Sequence, residues 1–363
     1  MATRRALLGM EADWFLRQTK SRTAALQQLH RALITSPTPL PDTIFSLNFQ
    51  DSPFGTAWTY SRPADPLNRP KEPDARSFLM PHFSFWAWNL PFIGSMARAT
   101  GAIAAIEGEF AGRWDQKINR AVWRGTTWFN SVHNPRLRQN LLAVSKGKPW
   151  ADVESLEWVG SGGNATNALP IEDFCRYKYV LHTEGIAYSG RFQFLQMCSS
   201  VVLTPPIQWL QHTTHLVRPL FSGSLDLAST RSKGRAKAAG SGSAPGVAPG
   251  SAGEGRHNWV PPERVRGSWP VQYSPAEANI VFVAPDWSDL EDTIAWLEDH
   301  PKIAEGIARR QRALFVDGGY FSPAAEVCYW RALVRGWAQV SRIEGDDWDE
   351  GVPFETFSLT HGN

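Results

Sequence analysis

The stretch YKYVLHTEGIAYSGRFQFLQMCSSVVL, residues 177–203, limits the possible architectures more than any other part of the chain. Tyr179-Val180-Leu181 is apolar on both faces, as in a strand covered by layers on both sides. Ile186-Ala187-Tyr188-Ser189-Gly190 reads as a turn, and Arg191 opens the helix RFQFLQMC. A second apolar strand, SSVVL, follows. This block predicts two parallel strands joined by a crossover.

The same alternation recurs along the chain. Leu16, Leu26, Leu29 and Leu33 recur at near-helical spacing within residues 10–34, and PTPLPD then breaks the pattern. TIFSLNF reads as a short strand ending at Gln50-Asp51-Ser52-Pro53. Residues 61–76 are loop-like, and HFSFWAWNLPF is aromatic and interrupted by Pro91. The alanine-rich stretch 95–106 fits either a helix or a packed loop. From about residue 113 the pattern becomes regular. AVWRGTT is a strand followed by a turn, PRLRQNLLAVSKG a helix opened by proline, and GSGGNATNALP a glycine-rich loop. NIVFVAP predicts another strand, SDLEDTIAWLEDHPKIAEGIARRQRALF helices punctuated at Pro301, and AEVCYWRALVRGWAQVSRI a last helix. Strands alternating with helices imply an α/β fold with largely parallel sheets.

Residues 223–256 stand apart, being dominated by Gly, Ser, Ala and Pro without aromatics. They are read as a disordered insertion, because such a segment buries too little apolar surface to offset its ordering entropy. The expected organisation is an N-terminal half over 1–112, a second half over 113–325 containing the insertion, and a closing helix with an acidic tail over 326–363.

Composition excludes several classes. Thirty-seven basic residues against thirty-five acidic ones leave a net charge of +2, so no overall field favours nucleic acid or an anionic membrane. No apolar run reaches the ~18 residues needed to span a bilayer. The N-terminus has no signal-peptide core before Glu11 and Asp13, so the chain as written reads as soluble, or as one whose anchor is missing. Cys175, Cys198 and Cys328 form no CxxC, which argues against a zinc framework; one disulfide of unspecified pairing remains open. No G-x-G-x-x-G follows a strand, which argues against a nicotinamide-dependent dehydrogenase.

A turn bearing Ser189, Gly190 and Arg191 at the mouth of a helix is a candidate anion site. The alternative is that Arg191 pairs with Glu184. In the WRGTT turn, Arg124, Gly125 and Thr126 offer a cation, backbone N–H groups and a hydroxyl, with an ion pair to a neighbouring acid such as Asp115 as the competing reading of Arg124. Asp347-Trp348-Asp349 spells DxD but lies in a polar tail and reads as solvated charge.

The block CRYKYVLHTEGIAYSGRFQFLQMCSSVVL resembles the signature region of the CAP-type glycosyltransferases, glycosyltransferase family 90. SLNFQDSP, PHFSFW, GRWDQKINRAVWRGTT, WSDLEDTIAWLEDHP and VCYWRALV match in order, covering about residues 40–340. The resemblance implies a GT-B-like fold, with two Rossmann-like halves facing a cleft. It also implies inverting transfer from a UDP-sugar, xylose or glucose, to a hydroxyl of a glycan or protein acceptor. No cofactor and no divalent metal are expected. Secretory-pathway location is implied by resemblance alone.

On that basis Asp51 is the candidate base; its competing role is to shape the QDSP turn. Arg124, Gly125, Thr126, Tyr188, Ser189, Gly190, Arg191 and Phe192 are candidates for the UDP-sugar, with packing favoured over uracil stacking for Tyr188. His82 and Trp86 are weak candidates for the acceptor groove, and Trp88 offers a further ring. Two departures put sugar or ribose contacts in question. Gln208 precedes Trp209 where the family usually has an acid, and Asn279-Ile280-Val281-Phe282-Val283 replaces a His-Tyr-(Val/Ile)-Pro-Val segment. The alternative function is a UDP-sugar-binding protein degraded in catalysis.

Overall fold

The computed structural model describes residues 2–3, 12–65, 76–160, 163–228, 258–342 and 352–361. Most of the segment read as an insertion, and the tail carrying Asp347-Trp348-Asp349, fall outside these residues.

The N-terminal layer holds the long helix α1 (Ala12–Ile34) and a three-stranded parallel sheet of β1 (Leu47–Asn48), β2 (Ala57–Thr59) and β3 (Ser77–Leu79), in that order. Only two residues of TIFSLNF join the ladder. Phe45 instead stacks flat on Trp58, with centroids 3.9 Å apart. The alanine-rich stretch forms α2 (Met96–Glu109), capped by the Ser95 hydroxyl on the Arg98 N–H. Although α2 precedes residue 112, its buried Ile103 and Ile106 pack with Ile171 and Phe174 in the core of the larger sheet.

That larger sheet contains β4 (Ile118–Gly125), β5 (Ala151–Ser155), β6 (Tyr177–Leu181), β7 (Val201–Thr204), β8 (Pro219–Phe221) and β9 (Ile280–Phe282). All five pairings are parallel and the order is β5-β4-β6-β7-β9-β8. The helix α3 (Leu137–Ser145) follows β4. From β4 the chain moves outward to β5, then returns past β4 to form β6. The carboxyl ends of β4 and β6 therefore flank a topological switch point, where open α/β sheets form their binding crevice. The apolar strand residues are divided between two cores, one on each face of the sheet: Val122, Val180 and Val202 in one, Ala121, Tyr179 and Val201 in the other.

The helices α4 (Leu290–Asp299) and α5 (Pro301–Arg312) divide at Pro301 as the sequence requires. The last long helix, α6 (Pro323–Val340), returns to the N-terminal layer. There Trp330 and Val334 join Leu29, Trp58 and Met80 in a third core. The Trp330 indole N–H donates to Gln28 Oε1 at 3.1 Å, and the Tyr329 hydroxyl to the Leu79 carbonyl at 2.9 Å.

The expected start of the insertion at residue 223 is corrected. Leu225 and Leu227 are buried against the sheet, and burial of one such side chain contributes about 2 kcal/mol. This anchors Ser-Leu-Asp-Leu despite its loop-like surroundings. The disulfide left open by the sequence is Cys175–Cys198, and Cys328 is free and exposed. No helix among the described residues is long and apolar enough to cross a membrane.

Candidate active site

The opening stretch folds as expected at its strands but not at its helix. Between β6 and β7 only Phe192–Leu195 is helical, a single turn, so the Ser189-Gly190-Arg191 turn has no helix of useful length behind it. Its side chains, not a helix dipole, supply the positive charge.

Two guanidinium groups meet at the switch point. Arg191 Nη1 donates to the carbonyl of Arg124 at the end of β4. Arg138, in the first turn of α3, donates from Nη1 to the Thr126 carbonyl at 2.7 Å. Its Nε and Nη2 reach the Glu184 carbonyl at 3.2 and 2.9 Å. It thus ties the loop after β4 to the loop after β6. Neither cation has a carboxylate partner among the described residues. Burial brings the Arg191 pKa from 12.5 down to about 10. Burial, and then the neighbouring Arg191, brings Arg138 to about 9. His182 beside them is held neutral, at about 3, by burial and then by the two arginines. A buried charge normally has a counter-ion. Two without one leave a place for an anion with several oxygens, such as a diphosphate.

Glu184 does not neutralise this site through its carboxylate, so the expected alternative pairing with Arg191 is not made. Its Oε1 accepts from the backbone N–H groups of Gln208 at 3.0 Å and Trp209 at 2.8 Å. Burial raises its pKa to about 8, partly opposed by those two bonds.

On the N-terminal layer, Asp51 follows β1. It is accessible to solvent, yet desolvation by the surrounding protein lifts its carboxyl above the ordinary aspartate range. Its charge is felt by Tyr188, whose hydroxyl is pushed up mainly by burial, then by Tyr60 and Asp51. The Tyr188 ring stands 6.2 Å from Tyr60 and 5.6 Å from His82. Tyr188 therefore packs in the aromatic seam between the Asp51 layer and the Arg191 turn, as the packing reading expected. The two cavities described, of about 340 and 420 Å³, are lined around Phe221–Pro275 and Arg120–Glu154 and include neither Asp51 nor Arg191.

The other expected residues fall into distinct positions. The Ser189 hydroxyl makes no hydrogen bond among the described residues, while its carbonyl accepts from Phe192 N–H at 3.1 Å. Gly190 is required by close packing instead of by a ligand: a Cβ there would lie 2.6 Å from His82 Nε2 and 2.9 Å from the Trp88 ring. Gly125 is constrained likewise by the Trp123 ring. Thr126 is buried, its hydroxyl receiving the Trp158 N–H at 3.2 Å.

Three expectations are corrected. The Arg124 guanidinium is taken up by Asp152, at 2.7 Å from Oδ1, and by the Asp152 and Asn167 carbonyls. The ion-pair reading thus holds for its side chain, with Asp152 in place of Asp115, and only its carbonyl faces the site. Phe192 is buried in the sheet core, its ring 4.4 Å from that of His182, so packing accounts for it. Trp86 is exposed beneath the Arg31 guanidinium of α1, at 5.2 Å, and no hydrogen bond or ring contact among the described residues ties it to Asp51 or Arg191.

His82 is buried and neutral, brought to about 3 by burial and then by His212. Its Nδ1 accepts from Ser84 N–H at 3.2 Å, which leaves the proton on Nε2 facing Gly190. Glu107, Cys175 and Cys198 lie close enough to suggest metal ligands. Both sulfurs are joined in the disulfide, and the carboxylate binds Lys117 and the Ser199 N–H, each at 2.8 Å.

With this geometry in view, the relatives are informative. The family Glycosyl transferase family 90 matches residues 14–222, more than half of the chain. The chain belongs to that family. Among curated proteins it is similar to O-glucosyltransferase rumi of Drosophila pseudoobscura pseudoobscura, 24% identical over 217 residues, covering 54% of this chain and 50% of the relative. It is also similar to human Protein O-glucosyltransferase 1, 25% identical over 199 residues, covering 50% and 47%. Protein O-glucosyltransferase 2 of Danio rerio is 23% identical over 192 residues, covering 51% and 37%. The chain thus spans about half the length, or less, of these relatives.

Arg138, and Glu184 as the carbonyl that accepts from it, were missed by the sequence reading. Arg138 looks like any basic residue in the amphipathic PRLRQNLL helix. The available signal was its place in the first turn after a β-strand loop, where an N-terminal cation opposes the helix dipole.

Proposed function

We propose that this protein is an inverting glycosyltransferase on a GT-B-like plan, moving a sugar from a UDP-sugar to a hydroxyl of a protein or glycan acceptor. The observation that carries the reading is the pair of guanidiniums at the switch point, Arg138 buried and Arg191 partly buried, without a carboxylate partner among the described residues. In the unliganded protein this arrangement is costly, and a diphosphate relieves it. Glucose is favoured over xylose by the names of the relatives.

In this reading Asp51 removes the acceptor hydroxyl proton as that oxygen attacks the anomeric carbon from the face opposite the diphosphate. The bond from that carbon to the diphosphate oxygen breaks, and the electron pair leaves with UDP. The proton ends on Asp51, and desolvation, which raises its carboxyl above the ordinary aspartate range, makes it a stronger base. Arg138 and Arg191 stabilise the charge that grows on the leaving group, and the Ser189 hydroxyl is available to donate to it. These two cations take the role that a divalent metal plays elsewhere, so transfer is expected to persist in chelator. The acceptor side comprises the N-terminal layer, and the nucleotide side the segment from about residue 113 onward. The Cys175–Cys198 bridge is consistent with an oxidising compartment, and secretory location is proposed on that ground together with the family.

The test is transfer by purified protein from UDP-glucose and UDP-xylose. Asp51→Asn is expected to lower turnover by about 100-fold or more, while UDP affinity by calorimetry stays within about threefold. An active Asp51→Asn variant removes the base assignment. Wild-type protein that binds UDP but turns over no donor favours the binding-only alternative.

A further inference from the structure

The two layers are tied together beside the switch point by a short antiparallel strap. Arg62–Pro63 of the N-terminal layer pairs with Trp209–Leu210 from the segment after β7. Ala64 N–H extends it, donating to the Gln208 carbonyl at 2.7 Å. Glu184 touches both this strap and the cationic site. Its carboxylate holds the Gln208 N–H, at 3.0 Å to Oε1 and 3.2 Å to Oε2, and the Trp209 N–H at 2.8 Å. Its main-chain carbonyl receives two donors of Arg138. A continuous series of hydrogen bonds therefore runs from the Arg138 guanidinium through residue 184 and Gln208 to Ala64. A second link closes the ring, as Gln211 Nε2 reaches the Ser189 carbonyl at 3.4 Å.

We propose that Glu184 is a positioning residue coupling occupancy of the Arg138–Arg191 site to the strap, so that a bound diphosphate tightens the N-terminal layer carrying Asp51 against the sheet. This rests on the reading of that site as the UDP site. An anion on Arg138 fixes the guanidinium that holds the residue-184 carbonyl, and the same residue's carboxylate fixes the strap amides. Coupling of this kind is reciprocal: what UDP does to the strap, loss of the strap does to UDP affinity.

The experiment measures amide exchange at Ala64, Gln208 and Trp209 by NMR with and without saturating UDP, alongside UDP calorimetry. In wild-type protein UDP is expected to slow Ala64 exchange by about 3–10-fold, within the usual range of coupling between sites. Glu184→Leu abolishes that slowing and weakens UDP by the same factor. Glu184→Gln, whose amide oxygen accepts as Oε1 does, restores both. UDP binding to wild type without any change at Ala64, or the same slowing in Glu184→Leu, overturns the coupling and leaves the donor site standing. Wild-type protein that does not bind UDP overturns the donor site and the coupling with it. Should Glu184→Leu fail to fold, Ala64→Pro cuts the series from its other end. Weakening of UDP by that same factor supports the proposal, and wild-type UDP affinity defeats it.

Discussion

Arg191→Met separates stability from function at the switch point. Burial brings the guanidinium pKa from 12.5 down to about 10, a cost on the order of 3 kcal/mol for keeping it charged inside the fold. Because a base with a lowered folded pKa is disfavoured while charged, this cost is present at every pH below about 10. It fades only as the pH rises through that value. Methionine removes the cost but strands the Arg124 carbonyl, a loss of about 1–3 kcal/mol. The unliganded variant is therefore expected to be as stable as wild type or up to about 2 kcal/mol more stable, evenly from pH 6 to 9. UDP affinity should fall about 30-fold or more, the worth of one charge-assisted contact of ~2 kcal/mol. Urea denaturation without ligand and calorimetry with UDP measure the two quantities. A variant that loses more than about 1 kcal/mol without ligand, or binds UDP as wild type does, refutes the reasoning.

Other consequences can be checked in parallel. The Glu184 carboxyl is raised to about 8 from 4.5, so the stability it confers is complete below pH 4.5 and is lost as pH rises through 8. Between pH 5 and 8, wild type should lose stability by about 1 kcal/mol per unit relative to Glu184→Gln, and parallel denaturation curves for the two proteins would contradict this. Reducing Cys175–Cys198, which closes a sequence separation of 23 residues, should cost about 3 kcal/mol. Cys328 alone should alkylate in the native, unreduced protein, so labelling of Cys175 or Cys198 before reduction would count against the pairing. Gly190→Ala should destabilise by about 1–3 kcal/mol through overlap with His82 and Trp88. The loss should shrink in a His82→Ala background, and an unchanged loss there would show that the contact is not its cause.

What the sequence disclosed, and what it hid, follows from how local each signal is. Tyr177–Leu181, Val201–Thr204 and the Ala121–Gly125 part of β4 were legible as strands because they are largely buried on both faces and bounded by turn residues. The α3 helix was legible from Pro135 and its periodicity. RFQFLQMC looked like a full helix, yet Phe192, Phe194 and Leu195 all enter one core, and satisfying that core takes a single helical turn. Leu225 and Leu227 were hidden by the glycine and serine around them, since a composition window averages two anchors into their neighbours. At the site, Arg191 stood out through its turn. Arg138 and Glu184 did not, because their roles run through main-chain carbonyls and amides of residues 46 and 24–25 positions away. Side-chain identity carries no trace of such partners. Arg124 misled for the complementary reason: its partner Asp152 arrives only when β5 pairs with β4.

The return of α6 to the N-terminal layer has a consequence for biogenesis. Leu29 and Trp58 emerge early from the ribosome, but Trp330, which completes their core, is made some three hundred positions later. The parallel sheet can consolidate as it is synthesised, whereas the layer bearing Asp51 must wait, with its tryptophans unshielded, for nearly the whole message to be read. That interval is when a chaperone has most to protect, and a premature stop before Pro323 should yield a chain whose sheet folds while its first ninety residues remain prey to proteases.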